Sequence, residues 1–150
     1  MSTWQVAVVL GAVAVGAMTP MQAGINASLA RHIANPLSAA LTNTVVASAC
    51  LVVVMLVLRV PLPGLAVAAR APWWSYCGGL LGASIVLGAI VLAPRLGAAA
   101  YVSSLIVGTV LSSLLIDHFG LLGFREQPVS AVRLLGGALV VVGMVLVVRR

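Results

Sequence analysis

The sequence predicts an all-α integral membrane protein with five transmembrane helices. Of its 150 residues, 63% are hydrophobic and 7% are charged, whereas soluble domains usually carry about 25% charged residues. The apolar residues form five runs, and roughly 20 mostly apolar residues are enough to cross a bilayer as a helix. We therefore expect one transmembrane domain over residues 1–150, most of whose surface faces lipid or protein.

The first two helices are marked mainly by their starts. The apolar run from Trp4 has no Lys or Arg before it, unlike a signal peptide, so we expect a retained first helix. Asn35 is a favoured N-cap and Pro36 suits a first helical turn, so the second helix is expected to begin there. The Pro-Leu-Pro-Gly run at residues 61–64 ends it, and residues 65–71 are expected to form a short interfacial turn.

The other three helices are marked mainly by their ends. Pro94 is expected to stop the third helix, because proline cannot donate the usual backbone hydrogen bond. Gly120 is placed to terminate the fourth helix. The five expected helices are residues 4–31, 36–58, 73–92, 97–117 and 130–148.

The eight basic residues are all arginines, and the five crossings divide them equally between the two membrane faces. We call the face that holds the N-terminus face A and the opposite one face B. Orientation follows the face with an excess of Lys and Arg, so this chain is predicted to insert both ways and to form an antiparallel homodimer. A chance equality, or a partner that sets the orientation, is the alternative. Face A receives Arg59, Arg70, Arg125 and Arg133, and face B receives Arg31, Arg95, Arg149 and Arg150.

The aromatic residues lie mostly toward face A. Trp and Tyr favour membrane–water interfaces, so one copy has a belt on one side and an antiparallel pair has one on each. For Trp73 and Trp74 we expect this anchoring role, with a substrate-lining role as the alternative. The face A group is Trp4, Trp73, Trp74, Tyr76, Phe119 and Phe124, while Tyr101 lies toward face B.

Uncharged polar side chains lie at membrane depth on three helices. Unpaired polar groups cost several kcal/mol in lipid, so these side chains should point into the interior or a wet cavity. Thr19, Gln22 and Asn26 share one face of the first helix. Pro20 adjoins them, and a proline-interrupted helix beside polar groups is typical of solute-binding sites. Hydrogen bonding that only joins helices is the alternative. The candidate substrate-binding residues are Gln22, Asn26, Asn43, Thr109 and Ser113.

Two further features concern how the helices are held. Gly136 and Gly143 lie on one side of the last helix, and we expect that stripe to be a subunit-pairing surface. Close packing within one subunit is the alternative. Asp117 lies near a helix end, where the dipole disfavours an anion, so a structural ion pair is expected, with proton coupling or gating as the alternative. Its candidate partners are His118, Arg125, Arg133 and the arginines of the second connection.

The sequence offers no residue set for catalysis, metal binding or nucleic-acid binding. Its acidic residues are Asp117 and Glu126, and no Cys/His ligand spacing, nucleophile motif or phosphate-cradling loop occurs. The arginines stand singly rather than in a basic patch. Cys50 and Cys77 are expected to be buried free thiols. We therefore expect no enzyme, no bound nucleic acid, no metal and no cofactor.

A set of short motifs follows along nearly the whole chain. The most specific are the Gln-x-Gly-x-Asn run at residues 22–26 and the Asp-His-Phe-Gly run at 117–120. The full set is residues 22–29, 72–74, 78–82, 93–98, 116–120 and 133–136, continuing to Gly143. Together they resemble the YdcZ-like family of the drug/metabolite transporter (DMT) superfamily. One departure is Gly108-Thr109, where the family pattern often has Gly-Gln.

The resemblance implies a five-helix half-transporter of a bacterial inner membrane, since larger members of the superfamily look like two inverted halves fused into one chain. With the polar residues, it implies alternating-access transport of a small neutral or weakly polar organic solute, or of a lipophilic cation. A non-transporting assembly subunit that pairs with a different five-helix protein is the alternative function, and a channel is the third. Related small multidrug resistance proteins carry a glutamate in the middle of their first helix. No helix centre here holds an acid, so facilitated diffusion is expected rather than proton antiport.

Overall fold

The chain forms five long helices joined by short connections. The computed structural model describes residues 3–149, with the backbone alone at residue 65. All five long helices, the third counted from Trp73, are long and apolar enough to cross a membrane. The expected number of spanning helices is therefore confirmed. In chain order the elements are α1 (Thr3–Ile33), α2 (Pro36–Val57), the short α3 (Leu65–Ala68), a 3-10 turn (Trp73–Tyr76), α4 (Cys77–Leu96), α5 (Ala98–Phe119), a second 3-10 turn (Leu121–Gly123) and α6 (Ala131–Val148).

The helices belong to two compact units. The first unit is Met1–Pro20 with Arg95–Arg150, and the second is Met21–Pro94. Their border lies within α1, beside Pro20, where we expected the helix to be interrupted. α1 instead remains helical through Pro20. The proline removes only the N–H that would bond the carbonyl four residues earlier, and membrane helices tolerate one such loss.

The corner between α1 and α2 follows the expected capping pattern. Asn35 adopts an extended conformation, and its side-chain oxygen accepts hydrogen bonds from the backbone N–H groups of Leu37 (2.9 Å) and Ser38 (3.1 Å). Pro36 occupies the first turn, where its missing N–H costs nothing. The predicted start of the second helix is confirmed.

α2 ends through backbone hydrogen bonds before the chain reaches the proline-rich run. The N–H of Arg59 donates to the Leu56 carbonyl (3.2 Å), and the N–H of Val60 donates to the Met55 carbonyl (2.9 Å). This pair of bonds is the Schellman motif, which places the residue after the cap in the left-handed region. Arg59 takes that position with a φ of 53°.

α4 passes through Pro94 and ends at Leu96. The prediction that Pro94 stops this helix at residue 92 is wrong. A proline near the end of a helix loses one backbone bond, but its ring fixes a φ that suits a helix. The chain turns instead at Gly97, whose φ of 82° is open to glycine at little cost, and α5 begins with Ala98.

α5 and α6 pack against each other in the first unit. Gly137 is buried in α6, and a Cβ atom built on it would lie 3.2 Å from Cδ1 of Leu114 in α5. A residue without a side chain lets two membrane helices approach closely. α5 ends at Gly120, which is left-handed (φ 59°) and donates its N–H to the Asp117 carbonyl. The predicted terminator is confirmed.

Gly120→Ala is expected to destabilise the first unit by about 1–2 kcal/mol, because an L-residue is strained at a φ of 59°. The added Cβ would also lie 3.3 Å from Cβ of Glu126. Thermal denaturation of the purified protein in detergent, followed by circular dichroism, measures the change. Gly11→Ala is the matched control in α1, since nothing lies within 4 Å of its Cβ position, and it should raise stability by up to about 1 kcal/mol. Equal shifts in the two variants would contradict this account.

Candidate functional site

The buried residues of the second unit are mostly small and lie on α1, α2 and α4. In α1 the buried positions recur at intervals of three and four residues, as expected for one helix face. The buried positions of α4 show the same three- and four-residue spacing. Alanines dominate the set, and small side chains let helices approach closely in a membrane. The buried residues of this unit are Ala23, Asn26, Ala27, Ala39, Ala89, Ile90 and Ala93.

Asn26 is the buried polar residue of this interior. Its side chain is 3% exposed, and no other polar or charged residue in the described chain is classed as buried. No hydrogen bond joins its amide to any residue between 3 and 149, yet neither amide atom is sealed off as a buried, partnerless group. The donors and acceptor of the amide are therefore unused within the described chain, and a small accessible area is left.

Gln22 and Asn43 are the other two candidate amides of the second unit. Gln22 is exposed; it lies about 40° from Asn26 around α1, at the edge of the buried face. Asn43 is half-buried on α2 and follows the fully buried Ala39 by four residues, which places both on one face. Neither amide side chain is bonded within the described part of the chain. All three predicted amides of the second unit thus remain free to bind another group.

Unlike these amides, seven Ser and Thr hydroxyls of the spanning helices donate a hydrogen bond to a carbonyl of their own helix. Thr109 donates to the Leu105 carbonyl one turn earlier (2.9 Å), so its hydroxyl is already paired. This back-bonding is common for Ser and Thr in helices. Ser113 makes no such bond in the described chain and is exposed on α5. The other back-bonded hydroxyls are Thr42, Thr44, Ser84, Ser103, Ser104 and Ser112.

Thr109 and Ser113 belong to the first unit, whereas Gln22, Asn26 and Asn43 belong to the second. A common lining by all five residues therefore stays a prediction. The first unit also contains an apolar groove of about 320 Å³, and neither Thr109 nor Ser113 lines it. The groove is lined by Pro20, Ala98, Ala99, Val102, Ser103, Ile106 and Val147.

The glycines of α6 differ in their surroundings. Gly137 faces α5, and the sequence interpretation missed it because glycine spacing alone does not tell which side of a helix meets its neighbour. Gly136 and Gly143 lie about 100° around the helix from Gly137. Nothing in the described chain lies within 4 Å of a Cβ atom built on either of them. Their side of α6 is therefore open within one subunit.

Asp117 pairs with Arg133 across the α5–α6 junction. The Nη2 group of Arg133 donates to Oδ2 of Asp117, with both side chains partly buried. The Nη1 group of Arg133 donates to the Gln127 carbonyl (3.0 Å), and the Gln127 N–H donates back to the Asp117 carbonyl (2.7 Å). The expected ion pair is confirmed, and the structure selects Arg133 from the candidate partners; the structural role of the pair stays a prediction.

Two more hydrogen bonds fasten the same junction. Nδ1 of His118 accepts from the Val129 N–H (3.2 Å), which requires the ring proton on Nε2. The Ser130 hydroxyl accepts from the Arg133 N–H (3.3 Å) and so caps α6. The connection between α5 and α6 is thus hydrogen-bonded to both helices.

The cysteines and acids form no chemical centre in the part of the chain that the structure describes. Cys50 is exposed and Cys77 is half-buried, and both are free thiols. The prediction that Cys50 is buried is wrong, because its side of α2 faces outward. No cluster of three His, Cys, Asp or Glu side chains that could hold a metal ion occurs among residues 3–149.

Five helices long and apolar enough to span a membrane define an integral membrane protein. The family described as "Putative inner membrane exporter, YdcZ" matches residues 7–146. The chain belongs to this family, as its motifs indicated. It is an integral membrane protein. No curated protein and no solved structure matches it.

Asp117→Asn and Arg133→Gln are each expected to lower the free energy of unfolding by about 1–2 kcal/mol, because each leaves a partly buried charge unpaired. The side chains of Asp117 and Arg133 remain 22% and 31% exposed, so the loss should stay below the value for a fully buried pair. The double variant should lose less than the sum of the two single changes. Arg125→Gln, exposed and without an ion pair within residues 3–149, is the control and should change little. Additive losses in the cycle would show that the two groups do not interact.

Proposed function

We propose that this protein moves a small neutral or weakly polar organic solute across the membrane by alternating access, as an antiparallel homodimer. The proposed substrate-binding residues are Gln22, Asn26, Asn43, Thr109 and Ser113. Membership of an inner membrane exporter family supports transport as the activity. The observation that carries the proposed site is Asn26, a buried amide without a partner in the described chain.

An unpaired amide at membrane depth needs a group to bind. Leaving such a group unsatisfied costs about 1–3 kcal/mol in a protein interior, so a residue with no binding role would be expected to find a partner on its own or a neighbouring helix. Several hydroxyls outside the proposed site do so: Thr44 and Ser84 each bond a carbonyl of their own helix. Asn26 offers one acceptor and two donor hydrogens. A transported solute with a hydroxyl or amide group would supply the hydrogen-bond partner that the Asn26 amide lacks within the described chain.

The chemistry around Asn26 favours an uncharged solute. Its buried neighbours along α1 are Ala23 and Ala27, and no charged residue is buried in the described chain. Asp117, the one acid that lies in a spanning helix, is already paired with Arg133. No free acid is therefore present in the described helices to exchange a proton, which supports facilitated diffusion over proton antiport.

Two observations support the antiparallel homodimer. The arginines give no excess on either face, so neither orientation is favoured during insertion. Gly136 and Gly143 leave open space on α6, and a second helix could approach closely there. An inverted second copy would supply the two-fold repeat that many transporters carry within one chain.

Asn26→Leu is expected to abolish solute flux, and Asn26→Ala to lower it at least about tenfold, because a buried hydrogen bond to the solute is lost. The measurement is uptake by proteoliposomes that contain the purified protein, screened against small neutral organic solutes. Thr44→Val is the matched control, since the Thr44 hydroxyl bonds the Ala40 carbonyl of its own helix (2.9 Å). Its flux should stay unchanged.

Three results would count against this site and function. Normal flux in Asn26→Ala would remove Asn26 from the binding site. No flux of any solute by the purified protein would favour an assembly subunit. Conductance far above the turnover of a carrier would indicate a channel. Gel filtration of each variant shows whether the dimer persists, so that a lost assembly is not mistaken for a lost site.

Each terminus is expected to be accessible from both sides of the membrane, because equal arginine counts favour neither orientation. A single cysteine, from Thr3→Cys or added after the last residue, is introduced into a chain carrying Cys50→Ala and Cys77→Ala. Labelling of intact cells with a membrane-impermeant thiol reagent then reports the outward share, expected to be about half.

A charge-shifted chain gives the control. Ala69→Arg with Ala71→Arg raises the count on face A to six against four, so face A should turn toward the cytoplasm and outward labelling at residue 3 should fall. If the unaltered chain labels at each terminus from one side only, it does not pair with an inverted copy.

A further inference from the structure

The connection between α2 and α4 combines positive charge with exposed apolar side chains. Between Leu58 and Tyr76 the chain contains Arg59 and Arg70 and no acidic residue. Both arginines are exposed, and neither forms an ion pair with any residue in 3–149. Leu62 and Trp73 are 77% and 80% exposed. This connection, which we call the basic connection (residues 58–76), lies at the membrane boundary because it joins two spanning helices.

The backbone at Arg59 holds an arginine where glycine is favoured. Its φ of 53° places it at the left-handed position of a Schellman motif, a conformation that strains any residue with a Cβ atom. A strained non-glycine residue is a reason to look for a role of its side chain. Ala34 and Leu122 share this conformation, with φ of 57° and 58°. Of the three residues only Arg59 is charged, and its side chain is exposed and without an ion pair in the described chain.

The aromatic end of the basic connection has a defined conformation. The Tyr76 hydroxyl donates to the Ala68 carbonyl (2.7 Å) and closes the stretch that contains Arg70. Trp73 and Trp74 form the 3-10 turn inside this closure, and both are exposed. Two exposed indole rings three and four residues after Arg70 suit the interfacial layer, where Trp and Tyr meet lipid headgroups.

The α5–α6 connection, which the sequence assigns to the same face, differs from the basic connection in its charge balance. There Arg133 is paired with Asp117, and Glu126 adds a second acid. Its positive charge is balanced within the protein. The positive charge of the basic connection is not balanced by any acid within it, so its counter-charge comes from the surroundings. At the membrane boundary the abundant anions are phospholipid phosphates.

We propose that the basic connection binds the headgroups of anionic phospholipids. The guanidinium groups of Arg59 and Arg70 would bind headgroup phosphate, which guanidinium recognises through paired hydrogen bonds. Trp73 and Trp74 would lie in the interfacial layer beside them. The proposal rests on the membrane location of the chain and not on its transport activity, so failure of either leaves the other standing.

The test uses tryptophan fluorescence in reconstituted vesicles. Trp4→Phe leaves Trp73 and Trp74 as the only fluorophores of this type. The purified protein is placed in phosphatidylcholine vesicles containing either brominated phosphatidylglycerol or brominated phosphatidylcholine at equal mole fraction, since bromine quenches nearby indoles. We expect phosphatidylglycerol to quench more strongly, with an apparent preference of at least about fivefold for each bound arginine.

Charge variants separate this proposal from a general surface effect. Arg59→Gly with Arg70→Gln should abolish the preference, and Arg59→Gly relieves backbone strain, so the loss cannot come from a weakened α2 end. Arg59→Lys with Arg70→Lys should retain most of the preference, because the charge remains. Arg31→Gln, an equally exposed arginine in the last turn of α1, should leave the preference unchanged.

The proposal is overturned by equal quenching from the two lipids, by a preference that survives Arg59→Gly with Arg70→Gln, or by an equal loss in Arg31→Gln. Glycerol phosphate added to the vesicles, compared with sodium chloride at the same ionic strength, provides a further arm. If glycerol phosphate alone removes the preference, the connection holds a soluble phosphate and not a lipid surface. Unquenched emission and circular dichroism should match the parent protein in every variant.

Discussion

The lack of water inside the bilayer governs this structure. A polar group there must bind a protein group, a solute or a trapped water, because hydrocarbon offers no hydrogen bond. Several hydroxyls of the spanning helices meet this demand locally, as Thr44 and Thr109 do by bonding the carbonyl one turn earlier. An asparagine amide in a helix centre has more hydrogen-bonding capacity than one carbonyl can satisfy. Asn26 is therefore conspicuous: it is buried, and its amide is unbonded in the described chain.

The same constraint explains where the charges are placed. The charged side chains lie at or near helix ends, and the one ion pair within residues 3–149 joins Asp117 to Arg133 at the α5–α6 junction. Around it, backbone groups of the connection bond to Asp117, His118 and Arg133. A junction saturated in this way holds two helices in a fixed register. The carboxylate of Asp117 is consequently paired in the described chain.

Small residues set how closely the helices approach. Gly137 brings α6 against Leu114 of α5, and alanines form most of the buried set in the second unit. Large apolar side chains such as Leu37, Leu80 and Leu139 are instead exposed. That inversion of the usual soluble pattern is expected when lipid is the solvent, because apolar side chains lose nothing by facing it. It also leaves the Gly136 and Gly143 side of α6 free for another helix.

The sequence by itself determined the class of protein, the five spanning helices, the caps at Asn35 and Gly120, and the family, because apolar length and capping chemistry are local properties of the chain. It also pointed to an ion pair at Asp117, but four kinds of partner were open until the α5–α6 connection brought Arg133 to it. Only the tertiary structure decided that Gly137 packs, that Asn26 is buried while Gln22 is exposed, and that Pro94 lies within a helix. These outcomes depend on which side of a helix meets a neighbour and on whether a lost backbone bond is tolerated, and neither is encoded in the spacing of residues along one helix.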